Sequence, residues 1–247
     1  MKHFIVLSSS YSTGQRIALH YVIDSKMDEE MLLSEVNTIK KMCGKSVPIS
    51  THFIETNSYD WETVVDKDAF FEGVHCVETL TEFVGLINDD RELRGIDVAK
   101  YILTVTKCTH LQLEKLVYMC YAEYLCATSK RLFADKIYAF KYGPIVGSVY
   151  EEYKGQKKIT GGRIKDKKLR MSARSRILFA KSGIEKLSVI DETLKKYGDF
   201  SASTLVSMTH VAGGPWDRTD RNIQFAEISD DVIKAYHYKE VNYISKL

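Results

Sequence analysis

Cysteine and histidine are the side chains best placed to do chemistry near neutral pH, provided that their spacing brings them together. The chain of 247 residues holds seven histidines and five cysteines. Cys108 and His110 lie two apart, and His210 stands far downstream. A cysteine nucleophile needs an imidazole within hydrogen-bond reach, which neighbouring positions alone do not supply. No His-Glu-x-x-His, no nucleophile elbow and no carboxylate pair at helical spacing accompanies them. His52 and His75 fall in strand-like runs without metal-ligand spacing, and there is no Cys-x-x-Cys. Ser8-Ser9-Ser10 and Ser12-Thr13-Gly14 follow a strand-like run, as phosphate-binding turns do. Yet neither a Gly-x-Gly-x-x-Gly nor a complete phosphate loop occurs. The residue pattern therefore predicts no catalytic centre, no metal site and no cofactor. The odd cysteine count predicts reduced, mostly buried thiols. His210 reads as a helix-end histidine, where a positive charge opposes the helix dipole favourably.

What remains is aromatic and basic, the chemistry of binding. Phe140-Lys141-Tyr142-Gly143-Pro144-Ile145-Val146 holds one of only three prolines, between aromatics and ahead of an apolar run. Pro suits the first turn of a helix, so the Gly-Pro pair predicts a corner that launches a helix over Val146 to Tyr153. Thr209-His210-Val211-Ala212-Gly213-Gly214-Pro215-Trp216 repeats the ingredients. Between them, Lys154 to Lys181 carries eleven Lys or Arg and one acid, Asp166. Within it, Lys158 to Ile164 flanks a Gly-Gly pair as a β-hairpin does. The partners such a basic run could attract are nucleic acid, an acidic protein surface or the acidic half of the same chain. Its single aromatic, Phe179, disfavours base stacking.

The elements that carry these stretches fall into two units. Residues 1–94 hold nine Lys or Arg against sixteen Asp or Glu, while the chain as a whole is at +2. Strands are expected at His3–Leu7, Ile17–Ile23, Ser50–Thr56 and Phe70–Val77, with helices at Met27–Met42 and Thr79–Ile87. This is a small α+β domain, 1–94. A polar stretch, Asn88 to Gly95, is the expected linker. The second domain, 95–247, reads as mainly α with one short β-hairpin. Thr109 and Gln112 form a capping box for a helix with an apolar stripe from Leu113 to Tyr124. Ser182 with Glu185 predicts another box, Ser201 an N-cap, and Asp230-Asp231 a last helix. No run approaches the ~18 apolar residues of a membrane span. The apolar run at Phe4–Leu7 is too short for a secretory core, so a cytoplasmic protein is expected.

From about Gly95 to Tyr238 the chain resembles the Panacea, or SocA-like, antitoxin domain. The resemblance rests on an ordered series: Asp97 to Leu103, Thr109 to Tyr118, Phe133 to Phe140, Tyr142 to Val146 with Val149-Tyr150 and Tyr153 behind, Leu205 to His210, Pro215-Trp216, and Ile228 to Tyr236. Family members often have Trp where Phe140 stands, and an aromatic-rich run where Tyr118 to Glu123 stands. The resemblance implies a cytoplasmic bacterial or phage antitoxin without a catalytic centre. It would neutralise a cognate protein toxin by direct binding, or deliver it to a protease.

The expected partner-binding residues are Tyr142, Val149, Tyr150, Tyr153, Lys157, Lys158, Arg163, His210 and Trp216. Tyr and Trp bring large contact area at modest entropy cost, and the basic residues would add electrostatic complementarity. Lys115, Gly143, Pro144, Thr209 and Pro215 are expected to shape the site rather than touch the partner. Self-association is open, no membrane partner is expected, and a nucleic-acid-binding regulator using residues 154–181 is the alternative.

Overall fold

The computed structural model describes residues 1–11, 13–23, 29–155, 167–220 and 222–244. The chain divides into two compact units, Met1–Glu92 and Leu93–Leu247.

The first unit is built on β1 (Lys2–Ser9) and β2 (Arg16–Ile23), an antiparallel pair with Phe4 opposite Tyr21. After α1 (Glu29–Cys43), β3 (Ile49–Glu55) pairs antiparallel with the other side of β1. Then come α2 (Trp61–Lys67), a 3-10 turn (Ala69–Phe71), β4 (His75–Val77) parallel to β2, and α3 (Leu80–Arg91). The strand order is β3-β1-β2-β4. Side chains alternate along a strand, so Phe4 and Val6 pack with Leu32 and Ile39 of α1 and Phe83 and Ile87 of α3. Ile5 and Leu7 pack on the opposite face, with Val64 of α2 and Phe71. β1 is thus buried on both faces, which its continuous apolar run requires. The strand expected over Phe70–Val77 is shorter. The Asp68 carboxylate accepts from the Phe70 N–H at 2.9 Å and Gly73 takes φ +69°, so a turn occupies its first half.

The second unit opens with α4 (Gly95–Val105), followed by α5 (His110–Thr128), which lies at its centre. Thr109 caps α5 as the spacing requires: its hydroxyl accepts from Gln112 N–H at 3.2 Å and Gln112 Oε1 accepts from Thr109 N–H at 2.9 Å. Every residue from Leu113 to Ala122 is buried. The expected stripe is therefore part of a helix enclosed all round, because α4, a β-hairpin over 137–146, α8 (Gly183–Tyr197), α9 (Ala202–Thr209) and α10 (Asp230–Ile244) pack on its different sides. β5 (Ile137–Phe140) and β6 (Gly143–Val146) form a hairpin turning at Lys141-Tyr142, and α6 (Gly147–Tyr153) follows directly.

Gly143-Pro144 thus begins a strand, not a helix. Gly143 has φ +99°, and Pro144 pairs with Ala139. Among the described residues β6 has no second strand beside it, which suits a residue lacking an N–H. On the other side of β5, Ala139 N–H donates to Ala226 O at 2.8 Å and Ile228 N–H to Ile137 O at 2.9 Å. Asp135 caps two helices, accepting from Gly95 N–H at 2.7 Å and Ser148 N–H at 3.3 Å.

The basic stretch contains α7 (Lys167–Leu178), a helix its sequence barely signals, and the hairpin expected at 158–164 lies outside the described residues. α7 is held by Ile177 in the core and by Arg176, whose guanidinium lies 3.3 Å from the Asp97 carboxylate on α4. α8 (Gly183–Tyr197) starts without the expected Ser182 cap. Ser182 adopts φ +58° and its hydroxyl makes no cap bond. A Cβ at Gly183 would come within 2.3 Å of the Ile177 and Leu178 carbonyls, so the α7–α8 turn is too tight for an extended cap residue. α9 (Ala202–Thr209) is capped by Ser201 as expected, and α10 (Asp230–Ile244) closes the unit. The described part of the chain consists of a mainly helical unit with one short hairpin and a small α+β unit.

Candidate functional site

The two aromatic corners, some seventy residues apart in sequence, meet in space. Trp216 Nε1–H donates to Phe140 O at 2.7 Å. The His210 ring lies 3.8 Å from the Trp216 indole, centroid to centroid, and its Nδ1 faces Val206 O at 2.7 Å. Its other nitrogen is 3.4 Å from Lys141 O in the hairpin turn. Phe140 in turn packs on Tyr150 of α6 at 5.1 Å and on Phe225 at 5.4 Å. Tyr142 stands at the tip, 60% exposed, with Lys141 Nζ 5.5 Å from its ring.

Beneath this surface, the open edge of β6 is met by two successive side chains of α5. Lys115 Nζ donates to Pro144 O at 2.7 Å, and Glu114 Oε2 accepts from Val146 N–H at 3.1 Å. One acceptor and one donor of the strand are satisfied without a neighbouring strand. Glu114 Oε1 faces His110 Nε2 at 3.2 Å, so this carboxylate bridges a helix turn and the hairpin. Lys115 is wholly buried, and that burial pulls its ammonium down to about 7, with Glu114 and Glu240 acting in the opposite sense. Glu240 of α10 is equally buried and accepts from Tyr118 OH at 2.9 Å and His237 Nδ1 at 2.7 Å. Burial raises its carboxyl above the usual range, and the bonds from His237 and Tyr118 offset part of that rise.

The hairpin tip is seated by close approach. A Cβ at Gly143 would lie 2.9 Å from Lys115 Cε and 2.9 Å from Thr209 Oγ1. Thr209 is fully buried and its hydroxyl donates to Leu205 O at 3.0 Å. Pro144 and Pro215 are buried beside them.

Of the residues expected at the partner surface, the structure brings Tyr142, Tyr150, His210 and Trp216 into one neighbourhood. Tyr150 and Tyr153 are half-buried, Tyr153 packing against the core. Val149 is wholly buried and offers no surface, because α6 turns that face onto α4 and α5. Lys157, Lys158 and Arg163 lie outside the described residues. Sequence reasoning missed Glu114, Tyr118, Phe225, His237 and Glu240. A carboxylate beside Lys115 in an otherwise apolar helix was a readable signal for Glu114. Nothing local marks the others.

Burial pushes the Cys108 thiol up to about 11, and His110 turns to Glu114. Among the described residues no three His, Cys, Asp or Glu cluster to hold a metal, and no helix is long and apolar enough to cross a membrane.

The same region is matched by known proteins. The family model described as antitoxin SocA-like, Panacea domain, matches residues 113–217, from α5 to the Trp216 corner. The helical unit contains a Panacea domain. Antitoxin SocA of Caulobacter vibrioides (strain NA1000 / CB15N) is 32% identical over 111 residues. That match covers 44% of this chain and 58% of the relative. No solved structure matches the chain. The hairpin, α6 and the α9 corner all fall within the Panacea domain, whereas Glu240 and Phe225 lie beyond the matched span.

Proposed function

We propose that the chain is an antitoxin that neutralises a cognate toxin by direct contact through the hairpin face of its Panacea domain. The observation that carries this reading is the convergence of both aromatic corners on one surface, with Tyr142 exposed at the tip and Trp216 and His210 behind it. Half-exposed aromatics on a rigid frame are the make-up of a binding hot spot. The frame is rigid because Lys115, Glu114 and Thr209 fix the hairpin from below. The similarity to an antitoxin supports the same reading. On it, the protein works in the cytoplasm by binding rather than by catalysis, and its partner is a protein.

The test is co-expression of the chain with the product of a neighbouring toxic reading frame, scored by growth. Wild type should rescue growth. Trp216→Ala with Tyr150→Ala should lose rescue by about tenfold or more in plating efficiency, since each anchor is a hot-spot candidate of ~2 kcal/mol. Full protection by the folded double variant would remove the hairpin face as the binding surface.

A further inference from the structure

Beside the exposed tip lies a groove of about 470 Å³, between the first turns of α5, the hairpin and α6. Its walls are apolar, formed by Leu111, Ile145 and the rings of Phe140 and Tyr150. Its charged groups are unevenly spent. Among the described residues Glu114 is the one carboxylate lining it, and both of its oxygens are already engaged, by His110 and by the Val146 N–H. Its side chain is only 3% exposed. Lys141 and Lys154 also line the groove, with Lys141 exposed in the hairpin turn. Lys154 reaches Glu151 one turn back, a pair exposed enough to be weak and exchangeable. An apolar trough with cations at its rim and its only acid turned inward favours a particular guest. That guest carries a bulky apolar side chain next to a carboxylate.

We infer that this groove is the specificity pocket of the Panacea domain, receiving an aromatic or large aliphatic side chain of the protein partner that is flanked by Asp or Glu. The inference rests on the antitoxin reading for the partner being a protein. It adds which chemistry of that partner is read. The groove's volume lies in the ~300–1,000 Å³ range of sites that enclose ligand-sized groups, so one or two side chains fill it. Apolar burial supplies the affinity, and the Lys141 and Lys154 charges select which flanking residues are tolerated.

The probe is a set of N-acetylated, C-amidated tetrapeptides titrated into the isotopically labelled full chain and followed by amide chemical shifts. The sequence Gly-Phe-Asp-Glu should saturate with shifts centred on Lys141, Ile145 and Tyr150. Gly-Phe-Lys-Lys, which keeps the ring and reverses the charge, and Gly-Ser-Asp-Glu, which keeps the charge and lacks the ring, should each bind about tenfold more weakly or worse. The double variant Lys141→Glu, Lys154→Glu should invert the preference between the two Phe peptides. Equal binding of the acidic and basic Phe peptides, no shifts at all, or an unchanged ranking in the charge-reversed variant would each overturn the assignment. The peptide titration needs no toxin. Failed co-expression rescue with a correct peptide ranking would therefore sink the antitoxin reading and leave the groove's chemistry standing, and the converse result would do the reverse.

Discussion

In the sheet unit the buried polar groups sit at the margins of an apolar interior. His3 contacts His20 at 2.7 Å and Thr56 Oγ1 at 2.8 Å, and Arg91 reaches the Cys43 carbonyl. In the helical unit they run through the middle. Glu114, Lys115 and Tyr118 lie on its central helix, and His237 and Glu240 close over them from α10. Apolar burial stabilises a core without much regard to direction, whereas a buried ionic and hydrogen-bonded group holds only in one arrangement. The sheet unit can therefore tolerate repacking. The helical unit uses its polar interior to set one strand, β6, at one height and angle. The difference teaches where to look for a built surface: above the polar network and not above the larger apolar sheet.

The largest expected effect comes from breaking the network at its far end. Glu240→Leu leaves the Tyr118 hydroxyl and the His237 imidazole without their carboxylate, and takes from Lys115 one of the two carboxylates that act on it. Removing one partner of a buried ion pair costs about 3–5 kcal/mol. In the sheet unit, His3→Leu should cost about 1–2 kcal/mol, because its partners Thr56 and Ser58 are half-exposed and can turn to water. Urea unfolding of both variants checks the contrast. Equal losses would mean that the interior of the helical unit is no more committed than the rim of the sheet.

Next in size is a glycine pair. Gly143→Ala meets Lys115 and Thr209 side-chain atoms at 2.9 Å and a backbone at φ +99°. Gly73→Ala, at φ +69° in the sheet unit, meets nothing within 4 Å. The second carries only the left-handed backbone penalty, about 1–2 kcal/mol. The first adds a clash with two packed side chains, about 1–3 kcal/mol more. Gly143→Ala should also lose growth rescue in proportion, while Gly73→Ala should not.

These contrasts also explain what the sequence could and could not disclose. Thr109 with Gln112, Ser201, and the strands around Phe4 and Leu19 announce themselves, because a cap or a short apolar run is written within a few neighbouring residues. Gly143-Pro144 announces the corner and the helix after it, found at Gly147–Tyr153, but not that the pair itself begins a strand. The groups that make it a strand, Lys115 and Glu114, lie about thirty residues away and act through space. α7 is nearly silent because its helix is fixed by Ile177 and the Arg176–Asp97 pair rather than by an apolar period. At the site, Tyr142, His210 and Trp216 are legible as residue types. That they share one surface is not, nor that Val149 beside them is core, since both depend on how α6 and α9 pack. Glu240 stands 122 residues from Tyr118 and no local pattern marks it.

The smallest effect is a slope. Lys115 titrates at about 7 in the folded protein against 10.5 for an ordinary lysine. Between those values the unfolded chain binds a proton that the native state does not, so stability rises with pH across this window. The cost of burying the charged form is fully present below about pH 7 and relieved as the pH approaches the unfolded value. The limiting contribution of one such group is about 1.4 kcal/mol per pH unit. Glu240 works against it. Its raised carboxyl gives stability at low pH that is lost as the pH rises through its folded value. In Lys115→Met the rising limb disappears and Glu240, deprived of a neighbouring cation, is raised further. The variant's stability should therefore be flat or falling between about pH 7 and about pH 8.5, where wild type gains. Ordinary thiols, at ~8.5, add the same slope to both proteins at the upper limit, so the difference between wild type and variant carries the test. Urea midpoints at the two pH values decide it. A parallel rise in both proteins would place the titrating group elsewhere, and the polar interior of the helical unit would then be a set of hydrogen bonds with no proton linkage through Lys115.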